Sequence, residues 1–194
     1  MPTSPGIKSI EWTMSSVVGM VQSPFTLQQQ TQEWPGQIWR AKVTLPVMTR
    51  VNAAAWMGFF GSLRGRANTF MLGPTPFKTP QGVAGGAPVV KGANNGGSTL
   101  ATSGWPINTA NVLKAGDFFQ LGNYLYMVVN TESSDGSGNA AFDIWPNLRV
   151  TPGDGDRLIV TNPQGIFRMA TNDQAFSIDE ALIYGMAFDC MEAI

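Results

Sequence analysis

The sequence predicts a mainly β protein with one α-helix: a β-sandwich or barrel-like unit carrying an inserted small β-barrel-like domain. Three observations predict it. Short runs of alternating apolar and polar residues recur along the chain, separated by turns bearing Gly, Asp or Asn. Only "RVNAAAWMGFFGSLRG" places apolar residues at helical spacing. From Pro74 to about Trp105, proline and glycine crowd the chain and mark a boundary. At 194 residues the protein can bury a substantial core and still hold an insertion.

The first element is the stretch "FTLQQQTQEWPGQIWRAKVTLPVM", Phe25 to Met48, which reads as a β-hairpin turning at Pro35-Gly36. Proline presets the first central angle of a type II turn and glycine permits the second. After the turn, Trp39, Ala41, Val43 and Leu45 alternate with Arg40, Lys42 and Thr44, the pattern of a half-buried strand. In the arm before it, Phe25 and Leu27 give way to Gln28, Gln29, Gln30 and Gln32, which offer amide donors and acceptors in place of an apolar face. A helix over about 51–64 follows, with Ala53, Trp56, Phe60 and Leu63 on its inner face, Asn52 as cap and Gly65 as stop. Its internal Gly58 and Gly61 weaken it by about 1 kcal/mol each and suggest close backbone approach to a sheet. "NTFMLG" then returns as a short strand.

Beyond the boundary, "GVAGGAPVVKGANNGGS" reads as a linker-like loop, because it lacks the spacing that leads a glycine loop into Lys-Ser/Thr and a helix. "SSDGSGN" lacks the bidentate glutamate of a calcium loop and reads, like "TPGDGD", as a plain turn. The segments "DFFQLG", "YLYMVV", "NAAFDIW" and "RLIVTN" are short strands at the spacing of a small barrel or sandwich. The chain closes with "GIFRMA" and a last strand whose apolar face is Tyr184, Met186, Phe188 and Cys190. Residues 1–73 plus 163–194 are thus expected to form one unit, with 74–162 inserted as a β domain that could be removed from it. The alternative is a single continuous sandwich.

Composition narrows function. The chain is 43% hydrophobic but only 13% charged, against about a quarter for ordinary proteins, with a formal net charge of -1. Such a balance does not attract nucleic acid, and a surface so poor in charge predicts extensive cover by partners. The absence of histidine removes the commonest general base and zinc ligand, and the carboxylates sit mostly beside turns or near the ends. No enzyme activity, cofactor or metal site is expected. Cys190 alone excludes an intramolecular disulfide framework. With neither a basic-then-apolar leader nor a run of about 20 apolar residues, synthesis in the cytoplasm without membrane insertion is expected.

"SPFTLQQQTQEWPGQIWRAKVTLPVM", the Ala/Trp helix leading to "ANTFMLG", "LKAGDFFQLGNYLYMVVN", "FDIWPNLR" and "NPQGIFRMA" together resemble a tail protein family of long-tailed (siphovirus-type) bacteriophages. In size and plan that family is similar to distal tail proteins. The resemblance implies a structural component of the virion tail, assembled in the host cytoplasm. It would form a ring, expected to be a hexamer, that joins the tail tube protein to the tail-tip or baseplate hub proteins. It offers no catalytic residues to carry over. Gln28, Gln30 and Gln32 become candidate subunit-interface residues, since neutral amides pair across a seam without burying charge. A polar solvent face is the alternative. A carbohydrate- or receptor-binding tail protein is a second functional reading, with Trp105, Tyr124, Tyr126 and Trp145 as candidate receptor-facing aromatics, although their alternation equally fits a core.

Overall fold

The computed structural model describes residues 1–93, 95–179 and 183–194. In chain order these form β1 (Ser9–Gln22), β2 (Gln29–Thr44), α1 (Arg50–Leu63), β3 (Thr69–Leu72), β4 (Val89–Val90), β5 (Thr99–Ser103), β6 (Phe118–Leu121), β7 (Tyr124–Val128), β8 (Ala140–Trp145), β9 (Leu158–Ile159), β10 (Gly165–Met169), β11 (Phe176–Ile178) and β12 (Tyr184–Glu192). The molecule is mainly β, with one α-helix among the described residues. Among the described residues, no helix is long and apolar enough to cross a membrane.

One sheet runs β1-β2-β12-β10-β3, with β11 paired to the leading end of β12. The alternation read in β2 and β12 is what builds its core face. Trp39, Ala41 and Val43 lie buried beside Phe188, Cys190, Phe167 and Phe70, while Glu11, Arg40, Lys42 and Asp189 stay exposed on the other side. Part of the core face is covered by α1, whose buried Trp56 sits 6.2 Å from the Phe188 ring, with Phe59 5.5 Å from Phe70. The helix follows Thr49, not the expected Asn52, and ends through the left-handed residues Arg64 and Gly65. Gly58 and Gly61 do not approach a sheet: a Cβ at either would meet nothing within 4 Å. They lie on the exposed side, because the helix turns Ala53, Trp56 and Leu63 inward.

The second sheet, β4-β5-β8-β7-β6-β9, is built entirely between residues 89 and 159. Its ends meet. Val90 N–H donates to Asp156 O at 2.8 Å and Leu158 N–H to Pro88 O at 3.0 Å, so β9 lies against β4 and the sheet is nearly closed into a barrel. Phe119, Tyr126, Phe142, Leu100 and Trp105 fill its interior. The segment expected to behave as a linker belongs to this barrel. It contains β4, and the Asp117 carboxylate accepts the backbone N–H groups of Gln81 and Gly82 at 2.7 and 3.0 Å. "SSDGSGN" and "TPGDGD" are turns: Asp135 accepts from the backbone of Ser137 and Asn139, and Asp156 from Gly153, each at 2.8 Å.

The hairpin is longer than expected, and its turn lies elsewhere. β1 and β2 pair from Ser9↔Thr44 out to Gln22↔Gln29, and the chain reverses over residues 23–28, where Ser23 N–H donates to Gln28 O at 2.9 Å. Pro35-Gly36 sits inside β2 at a bulge. The register jumps there from Ser16↔Gln37 to Val18↔Glu33. Proline cannot donate to a ladder, so it is tolerated where the ladder is interrupted, and a bulge satisfies it as well as a turn does.

Candidate assembly surface on a projecting hairpin

Two halves of the hairpin differ in what surrounds them. Inside the bulge, Trp39, Ala41 and Val43 are buried in the sheet; outside it, every residue from Val17 to Gly36 is exposed apart from the half-buried Ser23. The outer half is a two-stranded ribbon. Such a ribbon is marginal in water unless something packs on it.

Its composition sharpens the point. Val17, Val18, Met20, Val21, Phe25, Leu27 and Trp34 are each more than half exposed, with Phe25 at the tip 94% exposed. Between Val17 and Trp34 the only charge is Glu33. Cross-strand pairing gives Gln30 to Val21 and Gln32 to Gly19 on one face, and Thr31 to Met20 and Glu33 to Val18 on the other. Both faces therefore mix polar with apolar side chains, and the end pair Gln22↔Gln29 adds amides to the second. Gln28 falls in the tip turn, where its carbonyl closes the reversal, and its neighbours Gln30 and Gln32 lie on the strand. All three glutamines are exposed, as an interface residue of a single chain must be. What the glutamine pattern did not announce is the apolar content of β1 opposite it.

The candidate aromatics of the barrel are placed differently. Trp105, Tyr126 and Trp145 are buried and Tyr124 is half-buried, so the receptor-facing reading of these four is corrected to packing. Trp105 lies 5.7 Å from Phe142, and Tyr126 stacks on Phe119 at 5.5 Å. Trp145 points out of the barrel into the core of the other sheet, 4.4 Å from Trp39. Period-2 alternation of aromatics marks an inward face, and here both sides of the barrel wall have an inward face.

No protein-family model matches this chain, and no curated protein matches its sequence.

Proposed function

We propose that this protein is a structural component of a bacteriophage tail, a ring of the distal-tail type between the tail tube and the tail-tip or baseplate hub. The observation that carries this reading is the projecting hairpin, a nearly uncharged ribbon whose apolar side chains are each more than half exposed. Exposed apolar patches of that kind mark surfaces that other molecules cover. In a ring each copy offers its arm to the next, so one bare element per chain is covered once per seam. Six copies are expected from the family resemblance, with the tube and hub proteins as the neighbours above and below. The amides of Gln28, Gln30 and Gln32 suit such a seam, because they hydrogen-bond across it without bringing in charge.

The test is to shorten the arm. Ser16 and Gln37 are paired, so an Asn-Gly turn joining them would remove residues 17–36 and close the remaining ladder. Light scattering should find a closed oligomer for the wild type and a monomer for the shortened chain, which still unfolds cooperatively but is not incorporated into tails. A wild type that stays monomeric at every concentration, or a shortened chain that assembles normally, would refute the ring. Gln30→Glu with Gln32→Glu is the milder form, placing two charges on one face of the arm in every seam.

A further inference from the structure

Beside α1 lies a groove of about 260 Å³, walled by Met57, Phe60 and Gly61 of the helix and by Met169, Gln174 and Phe176 of β10 and the chain beyond it. We propose that this groove receives the arm tip, Phe25 and Leu27, of a neighbouring copy. The inference rests on the ring reading above and names the surface on which the arm is seated. The groove is smaller than the roughly 300–1,000 Å³ of pockets for drug-sized ligands, and its size suits one or two side chains. Met57 and Phe176 on its walls are exposed, and its described lining carries no charged side chain. The tip matches it, since Phe25, Thr26, Leu27 and Gln28 are uncharged and Phe25 is the most exposed apolar residue described. Neutral, apolar surface on both sides meets without desolvating an ion.

Each half of the contact has a feature that the isolated chain does not require. At the tip, Leu27 sits at φ 58, a left-handed conformation that Gly or Asn adopts more readily. Its exposed side chain is thus kept where local geometry favours another residue. In the groove, Gly61 lies inside α1, where glycine weakens a helix, and an added Cβ would meet no atom within 4 Å. A bare backbone there leaves the groove open to an incoming chain. The placement of the two halves points to a second copy. The arm leaves the sheet at Gln37, whereas Phe176 pairs with Met186 beside the Thr44 end of β2, seven residues or about 23 Å along the strand. The arm therefore projects away from its own groove. A donor at one end of the sheet and an acceptor at the other make a head-to-tail contact, the kind that closes rings.

The test uses the full chain with cysteines placed at the tip and at the groove. Thr26→Cys leaves Phe25 and Leu27 in place, and Met57→Cys and Thr171→Cys lie on the two walls. Under mild oxidation, Thr26→Cys combined with at least one wall cysteine should form disulfides between copies, seen as a ladder on a denaturing gel, whereas the single variants form none. Cys190 is buried and does not compete. Gly61→Leu fills the groove without crowding the chain, and Phe25→Ala removes the anchor at an exposed tip. Each should raise the concentration at which the oligomer dissociates by about thirtyfold or more, the order of a lost hot spot, with cooperative unfolding retained. A wild-type chain that stays monomeric at every concentration removes the ring and this inference together. A wild-type oligomer with no disulfide from either pairing, or with undiminished assembly of Phe25→Ala or of folded Gly61→Leu, leaves the ring standing and overturns the groove, the arm then being covered elsewhere or by another protein.

Discussion

Asp117 is 2% exposed and holds three backbone N–H groups, those of Gln81, Gly82 and Lys114, at 2.7, 3.0 and 2.8 Å. One side chain thus fastens the leading segment of the barrel to the turn before β6. Asp117→Ala would leave these donors unpaired and should cost about 2–4 kcal/mol in urea unfolding; a loss within error would show that water replaces the carboxylate freely. A second residue-scale effect is pH-dependent. Burial pushes the Tyr126 phenol from 10.0 up to about 12, and burial pushes the Cys190 thiol from 9.0 up to about 12. The unfolded chain releases both protons at the ordinary values, so the stability held by the neutral groups is complete below pH 9.0 and is lost as pH rises toward about 12. Stability should fall across that window. Tyr126→Phe should flatten the upper part of the fall, above 10.0, and an unchanged slope there would clear Tyr126 of the effect.

At the scale of elements, two glycines make opposite predictions. Gly58 lies on the outer side of α1 with open space around it, so Gly58→Ala should stabilise the protein by about 0.5–1 kcal/mol, read as a higher denaturation midpoint. Gly165 begins β10 where the barrel presses in. A Cβ there would lie 2.8 Å from the Leu125 Cβ and 3.1 Å from its backbone nitrogen, so Gly165→Ala should cost about 1–3 kcal/mol, and a neutral result would mean that β7 yields easily. The same contrast shows what could be read in the sequence. Strands with one inward face, such as β2 past the bulge and β12, were legible because alternation records burial. β1 carries the same signal in Ile10 and Trp12, but Pro35-Gly36 suits a turn equally well in local terms, and a turn there leaves β1 without a partner strand. A Pro-Gly pair has one local conformational meaning and two tertiary uses. The tie between Gln37 and Asn147 was out of reach, since these residues meet only once the barrel packs against the base of the hairpin.

The docking itself is the feature of the whole molecule that the sequence least suggested. An insertion that could be cut away should touch its host through a thin polar seam, yet Phe118, Leu125 and Trp145 of the barrel share one core with Trp39 of the first sheet. Polar ties run through the same contact. Trp39 Nε1–H donates to Leu125 O at 3.0 Å, Asn123 O accepts from Ile166 N–H at 2.8 Å, and the Arg149 guanidinium grips the Glu192 carboxylate in two bonds of 3.1 and 2.5 Å. Glu192 also accepts the Trp39 backbone N–H at 3.2 Å, so one carboxylate joins β12, β2 and the barrel. Its side chain is 1% exposed and that of Arg149 7%. Removing one partner of such a pair strands the other's charge in the interior, at a cost of about 3–5 kcal/mol. Glu192→Ala should therefore lower the melting temperature by about 2–4 °C for each kcal/mol lost, with both units still unfolding in a single calorimetric transition if the shared core couples them. Joining Gly73 to Gln164 to delete the barrel should do worse, because it bares Trp39 to water and leaves Glu192 unpaired. That deletion should be insoluble or melt without cooperativity, whereas Glu192→Gln in the complete chain should remain folded. A soluble deletion with a sharp transition would show instead that the first sheet stands alone, and that the barrel only rests against it.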